Sequence, residues 1–165
     1  MPGIRRIVAV VVIIVCSVGV FPTIPGPAMA ADSQDFAEFG QTFQDLGPTL
    51  EEATIKAQEN SEEFYLGMLI QSREKLLMWT ESAFMLTHSV EQGTEAEAAL
   101  RMEAAMPLLA AIHQELANET LLISEIINAG DPLSPAMAGL VSRYLETLSA
   151  FSLALDEYLG LLRTY

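Results

Sequence analysis

The apolar positions of this chain fall into three long series with the same rhythm. Tyr65, Leu69, Ser72, Leu76, Trp79, Ala83, Leu86 and Val90 recur at steps of four and three. So do Met102, Met106, Leu109, His113, Leu116, Thr120, Ile123 and Ile127, and then Met137, Val141, Tyr144, Leu148, Phe151, Leu155, Tyr158 and Leu162. Such steps keep one face of a helix turned towards a neighbour. A shorter series, Phe36, Phe39, Phe43 and Leu46, precedes them.

Turn and capping signals divide the series. Gly47-Pro48 reads as a break, and Thr49 with Glu52 as a capping box. Gly93 reads as a stop, with Thr94 and Glu97 as the next capping box. Gly130-Asp131-Pro132 reads as a loop, and Ser134-Pro135 as an N-cap with proline at the first helical position. The pattern predicts helices over 33–46, 49–91, 95–128 and 135–163. Asn60 with Glu63 is a further capping signal that would split the second helix, but the unbroken periodicity favours continuity. The expected fold is all-α: an antiparallel up-down helical bundle of three long helices plus a short, Phe-rich N-terminal helix.

The short turn at Gly93 predicts a register. Leu76 then faces Leu109, and Leu69 faces Leu116, while the polar seam positions meet as His113 with Ser72 and Thr120 with Tyr65. A second stripe, Ala105, Leu108, Ile112, Leu122 and Ile126, would face the last helix and place Glu119 near Tyr144. Pro107 is expected to kink the third helix.

One stretch carries more apolar surface than a single seam needs. In LLMWTESAFMLTH, residues 76–88, the apolar side chains point round the whole cylinder. Leu77 and Phe84 form one flank, while Met78 and Met85 lie farther round. Together with Phe36, Phe39 and Phe43 they are the expected contact surface for a partner or a second copy.

The N-terminus changes the picture of where the chain works. Arg5 and Arg6 precede an uncharged run over 7–21, prolines follow, and Ala28-Met29-Ala30 supplies a small-x-small cleavage pattern. Residues 1–30 are therefore read as a cleaved secretion signal and 31–165 as one helical-bundle domain. The expected location is periplasmic or secreted, by the general secretion route. Membrane contact is expected only through the signal segment, if it is kept as an anchor. Cys16, the single cysteine, lies in that segment. A mature chain without thiols has no disulfide, thiolate metal site, c-type haem or cysteine nucleophile.

Charge narrows the partners. The chain carries 8 Lys plus Arg against 22 Asp plus Glu, a net of −14. Cleavage removes two arginines and no acid, which takes the net charge to −16. Nucleic acid is therefore not an expected partner.

The chemistry-bearing residues do not assemble into a motif. Glu74, Glu81 and His88 form a solvent-facing column. His113, on the seam, reads as a core histidine bonded to Ser72, and the alternative is an axial ligand paired with Met68. A di-iron bundle needs Glu-x-x-His, but Met85 and Ala110 stand where the glutamates belong. Zinc-protease and phosphate-loop signatures are absent. No catalytic, cofactor-binding or metal residue is assigned, and the expectation is a non-enzymatic binding module. The alternative is a periplasmic carrier or sensor holding a small ligand, b-type haem or copper near His113 and Met68.

Overall fold

The computed structural model describes residues 31–57, 60–130 and 132–163. The expected signal segment, Cys16 included, lies outside the described residues. Four α-helices follow one another: α1 Ser33–Lys56, α2 Asn60–Glu91, α3 Glu95–Ala129 and α4 Pro135–Leu162. There is no strand among the described residues. The all-α bundle matches the expectation, but the division of its first half does not. α1 is 24 residues long rather than a short appendage, and the break falls just before Asn60 rather than at Gly47-Pro48.

The reason is physical. Pro48 cannot donate to the carbonyl of Gln44, so a helix running through it leaves that oxygen orphaned. Arg73 of α2 supplies the missing donor. Its Nε donates to the Phe43 carbonyl at 2.6 Å, and its Nη2 donates to the Gln44 carbonyl at 3.2 Å. Gly47 makes room for this guanidinium, since a Cβ there would stand 2.6 Å from Nη2. What reads locally as a glycine–proline break is a helix interior completed by an arginine from the neighbouring helix.

The other ends follow their sequence signals. Asp32 caps α1, accepting from the Gln34 and Asp35 amides at 2.8 and 3.3 Å, while Asp35 accepts from the Asp32 amide at 2.8 Å. Glu91, at the far end of α2, binds the Ser33 amide at 2.8 Å and also the Ser33 hydroxyl. The Glu97 carboxylate accepts from the Thr94 amide at 3.2 Å, and Ser134 accepts from the Met137 amide at 3.3 Å. α3 runs through Pro107 as one helix.

Each helix packs beside its chain neighbours, and α4 closes the ring on α1. The inter-helix ties set the directions. Ser33 meets Glu91 while Phe43 meets Arg73, so α1 and α2 are antiparallel. Lys75 meets Glu119 while Ser89 meets Arg101, so α2 and α3 are antiparallel too. On α4, Tyr158 lies against Phe36 and Tyr144 against Phe43, so α1 and α4 also run in opposite directions.

The core is richest in aromatic rings between α1 and α4, with Tyr65 of α2 buried elsewhere in it. Phe36 and Phe43 are wholly buried, with ring centroids 6.0 and 6.4 Å from that of Phe151. Such edge-on contacts add to the apolar area that burying a phenyl ring removes from water. Between α1 and α2 the backbones approach closely, and a Cβ on Gly40 would meet the Thr80 hydroxyl at 3.3 Å.

Candidate interaction surface

The seven expected contact residues separate into three groups. Phe36 and Phe43 are fully buried, and Phe39 is half-buried with its ring 5.5 Å from Phe151. These three hold α1 onto α4 and leave the candidate surface. Leu77 and Phe84 are half-buried and pack against the core, on the flank of α2 from which Arg73 and Thr80 reach α1. The pairs Ser33–Glu91, Gly40–Thr80 and Phe43–Arg73 set them level with the first half of α1, inside the span 33–46 that the pattern predicts. Met78 and Met85 remain, 59% and 61% exposed, seven residues apart and opposite the buried seam of α2.

α3 contributes a neighbouring surface that the sequence reading placed inside. Its buried ladder is Ala105, Leu109, Ile112, Leu116, Glu119 and Ile123. This line runs between the two expected stripes, so Leu108 and Leu122, expected to face α4, are 54% and 46% exposed. Leu100 is 70% exposed. The sequence does hold the signal: over residues 98–112, apolar residues occur on every side of α3, more than one buried line can use.

Among the described residues, seven of the nine large apolar side chains that stand most exposed belong to α2 and α3: Phe64, Met78, Met85, Leu100, Leu108, Leu121 and Leu122. α1 and α4 carry only Ile55 and Leu153 of this set. Large apolar exposure is thus concentrated on one half of the bundle. Concentration of this kind, rather than single exposed leucines, marks contact surfaces.

The interior carries a polar layer at mid-height. Tyr144, wholly buried on α4, donates to the Leu69 carbonyl at 3.3 Å. Burial pushes its phenol well above the ordinary tyrosine range, and the nearby Glu119 charge pushes the same way. Glu119 is itself 7% exposed and pairs with Lys75 at 2.9 Å. The expected proximity of Glu119 to Tyr144 is therefore present.

The expected bond between His113 and Ser72 is not made. Ser72 is 1% exposed and lies beside the Tyr144 hydroxyl, yet its oxygen finds no hydrogen-bond geometry with any described residue. His113 is half-buried. Thr120 likewise turns to the Leu116 carbonyl of its own helix at 2.8 Å instead of to Tyr65. Backbone carbonyls one turn back are always within reach of a helical threonine, which makes them strong competitors for a cross-helix partner. His88 is exposed, as expected, and stacks on Phe84 at 5.3 Å.

Among the described residues the bundle is indented by open grooves, of which two are well defined. One, about 790 Å³, lies between the α1–α2 junction and the start of α4, over Leu66, Met137 and Leu140. The other, about 470 Å³, lies between the start of α3 and the end of α4, lined by Met102, Met106, Leu159 and Leu162. Neither is lined by His113 or Met68. Among the described residues no group of three or more His, Cys, Asp or Glu side chains is placed to hold a metal ion. Nor is any described helix long and apolar enough to cross a membrane. No family model, no curated protein and no solved structure matches this chain.

Proposed function

We propose that this chain is an exported, acidic helical bundle that works by binding, meeting a protein partner or a second copy through the outward face of α2. The supporting observation is the exposure of Met78 and Met85, opposite the seam and on the side of the bundle that α1 leaves uncovered. Methionine suits such a surface because its flexible thioether adapts to the contour it meets. The acidic surface keeps a secreted chain soluble and steers nucleic acid away.

The test is a crosslinking pull-down of the chain from its own cell envelope, comparing wild type with Met85→Glu. Specific crosslinked products that disappear in Met85→Glu support the proposal. Products of equal yield in both, with the fold intact by circular dichroism, overturn it.

A further inference from the structure

Resting on that reading, we infer that Met78 and Met85 are a reversible oxidation site that switches the outward α2 face off. The oxidant is an uncharged peroxide, and the modified group is methionine sulfoxide.

Burial selects these two side chains. Residues 31–165 hold six methionines and no cysteine. Thioethers are then the groups that a mild two-electron oxidant attacks first. Met78 and Met85 are 59% and 61% exposed, whereas Met137 is 4% exposed and Met68, Met102 and Met106 are half-buried. The exposed pair stand two helical turns apart on one face, about 10 Å along the axis. Ser82, one turn from each, is too small to shield them, and its hydroxyl donates to the Met78 carbonyl at 2.8 Å.

Charge decides which oxidant arrives. The net charge is −16 without residues 1–30, and exposed Glu74 and Glu81 flank the methionines. The cations on the side towards α3, Lys75 and Arg101, are each paired, with Glu119 and Glu97. Such a surface repels an anionic oxidant, while uncharged hydrogen peroxide approaches freely.

The step is an oxygen-atom transfer. A sulfur lone pair attacks one peroxide oxygen, the O–O bond breaks and an S–O bond forms. A proton shift to the departing oxygen releases water. Sulfur loses two electrons, and the peroxide gains them. Reversal takes two thiols from outside this chain: they become a disulfide, sulfur regains two electrons, and the oxygen leaves as water.

The product changes the face and spares the fold. A sulfoxide is polar where the thioether was apolar, and its oxygen must shed water when a partner covers it without offering a donor. Neither side chain belongs to the core, so the packing inside is untouched.

Timed hydrogen peroxide treatment of the chain purified from the exporting cell, stopped with catalase and read by peptide mass spectrometry, tests the site. Met78 and Met85 should gain oxygen roughly tenfold faster than Met137, in line with their exposures, with helicity and urea midpoint unchanged. The treated chain is then added to its own cell envelope for the crosslinking pull-down. The yield of Met85-dependent products should fall about tenfold, and return after methionine sulfoxide reductases and a dithiol have acted. A double variant, Met78→Leu with Met85→Leu, stays apolar but cannot take the oxygen, so its yield should be the same before and after peroxide. Oxidation of Met137 as fast as Met85 overturns the inference, as does a double variant that loses its products on peroxide treatment. Met85-dependent products that survive oxidation of both methionines refute the switch and sustain the binding module. Products that never depended on Met85 would instead sink the reading on which the switch rests.

Discussion

Replacing Gly47 by alanine should destabilise this protein, against the ordinary trend. Inside a helix that change normally stabilises by about 1 kcal/mol, because alanine loses less backbone freedom on folding. Here the new methyl would stand 2.6, 2.9 and 3.2 Å from Nη2, Cζ and Nε of Arg73. These three atoms form most of the planar head, so the guanidinium must withdraw. Two hydrogen bonds from a charged donor go with it, each contributing about 1.5–3 kcal/mol. Water recovers part of the loss, since the Arg73 side chain is already 17% exposed. After the gain in helix propensity, a net destabilisation of about 2 kcal/mol is expected. The assay is urea denaturation followed by circular dichroism. The Pro48→Ala background is the control, because it restores an amide to the Gln44 carbonyl and makes Arg73 less necessary. The cost of Gly47→Ala should shrink there by about 1 kcal/mol. A raised midpoint for Gly47→Ala alone, or an equal effect in both backgrounds, would refute the role given to Arg73.

Three further outcomes follow from named contacts. Ser72→Ala removes a buried hydroxyl without a bond, so stability should hold or rise by up to about 1 kcal/mol, as urea melts would show; a loss above that size would mean that the hydroxyl is bonded. Burial and the Glu91 and Asp32 charges raise the Tyr158 phenol to about 12 from 10.0. The folded state thus favours the protonated phenol. Its stabilising contribution is complete below pH 10 and is lost as pH rises towards 12, so Tyr158→Phe should flatten the alkaline fall in urea midpoint. Glu97 is held below the usual carboxylate range, first by the Thr94 amide; its contribution is present at neutral pH and lost on acidification, and Glu97→Gln should leave a shallower fall in helicity on the acid side.

The helical class, the ends at Gly93, Gly130 and Ser134, and the burial of the α4 seam were legible because they depend on local chemistry and a single period. Eight positions from Met137 to Leu162 are buried as the spacing requires. The first helix was not, because its continuity through Pro48 depends on Arg73, which lies 25 residues away and on another helix. A local signal cannot reveal a donor that arrives only in the folded state. Phe36 and Phe43 lie inside the predicted 33–46 helix and are misplaced for another reason: their spacing marks an apolar face but not the neighbour, α4, that buries it. The side of α3 failed for a different reason. With apolar residues on every side of residues 98–112, the period does not choose the buried line, and Leu108 went to the wrong one. Ser72 and His113 were paired by register alone, while Tyr144 from the diagonal helix took the place beside Ser72.

The central claim, that the outward α2 face is where this protein makes contact, is tested most directly by a photoreactive side chain placed at position 85 in cells. The same group at position 153 is the reference, since Leu153 is 56% exposed and Met85 is 61%. Crosslinking should be strong from position 85 and weak from 153, and the first should be lost when Leu108→Glu is added. Equal crosslinking from the two positions would contradict it.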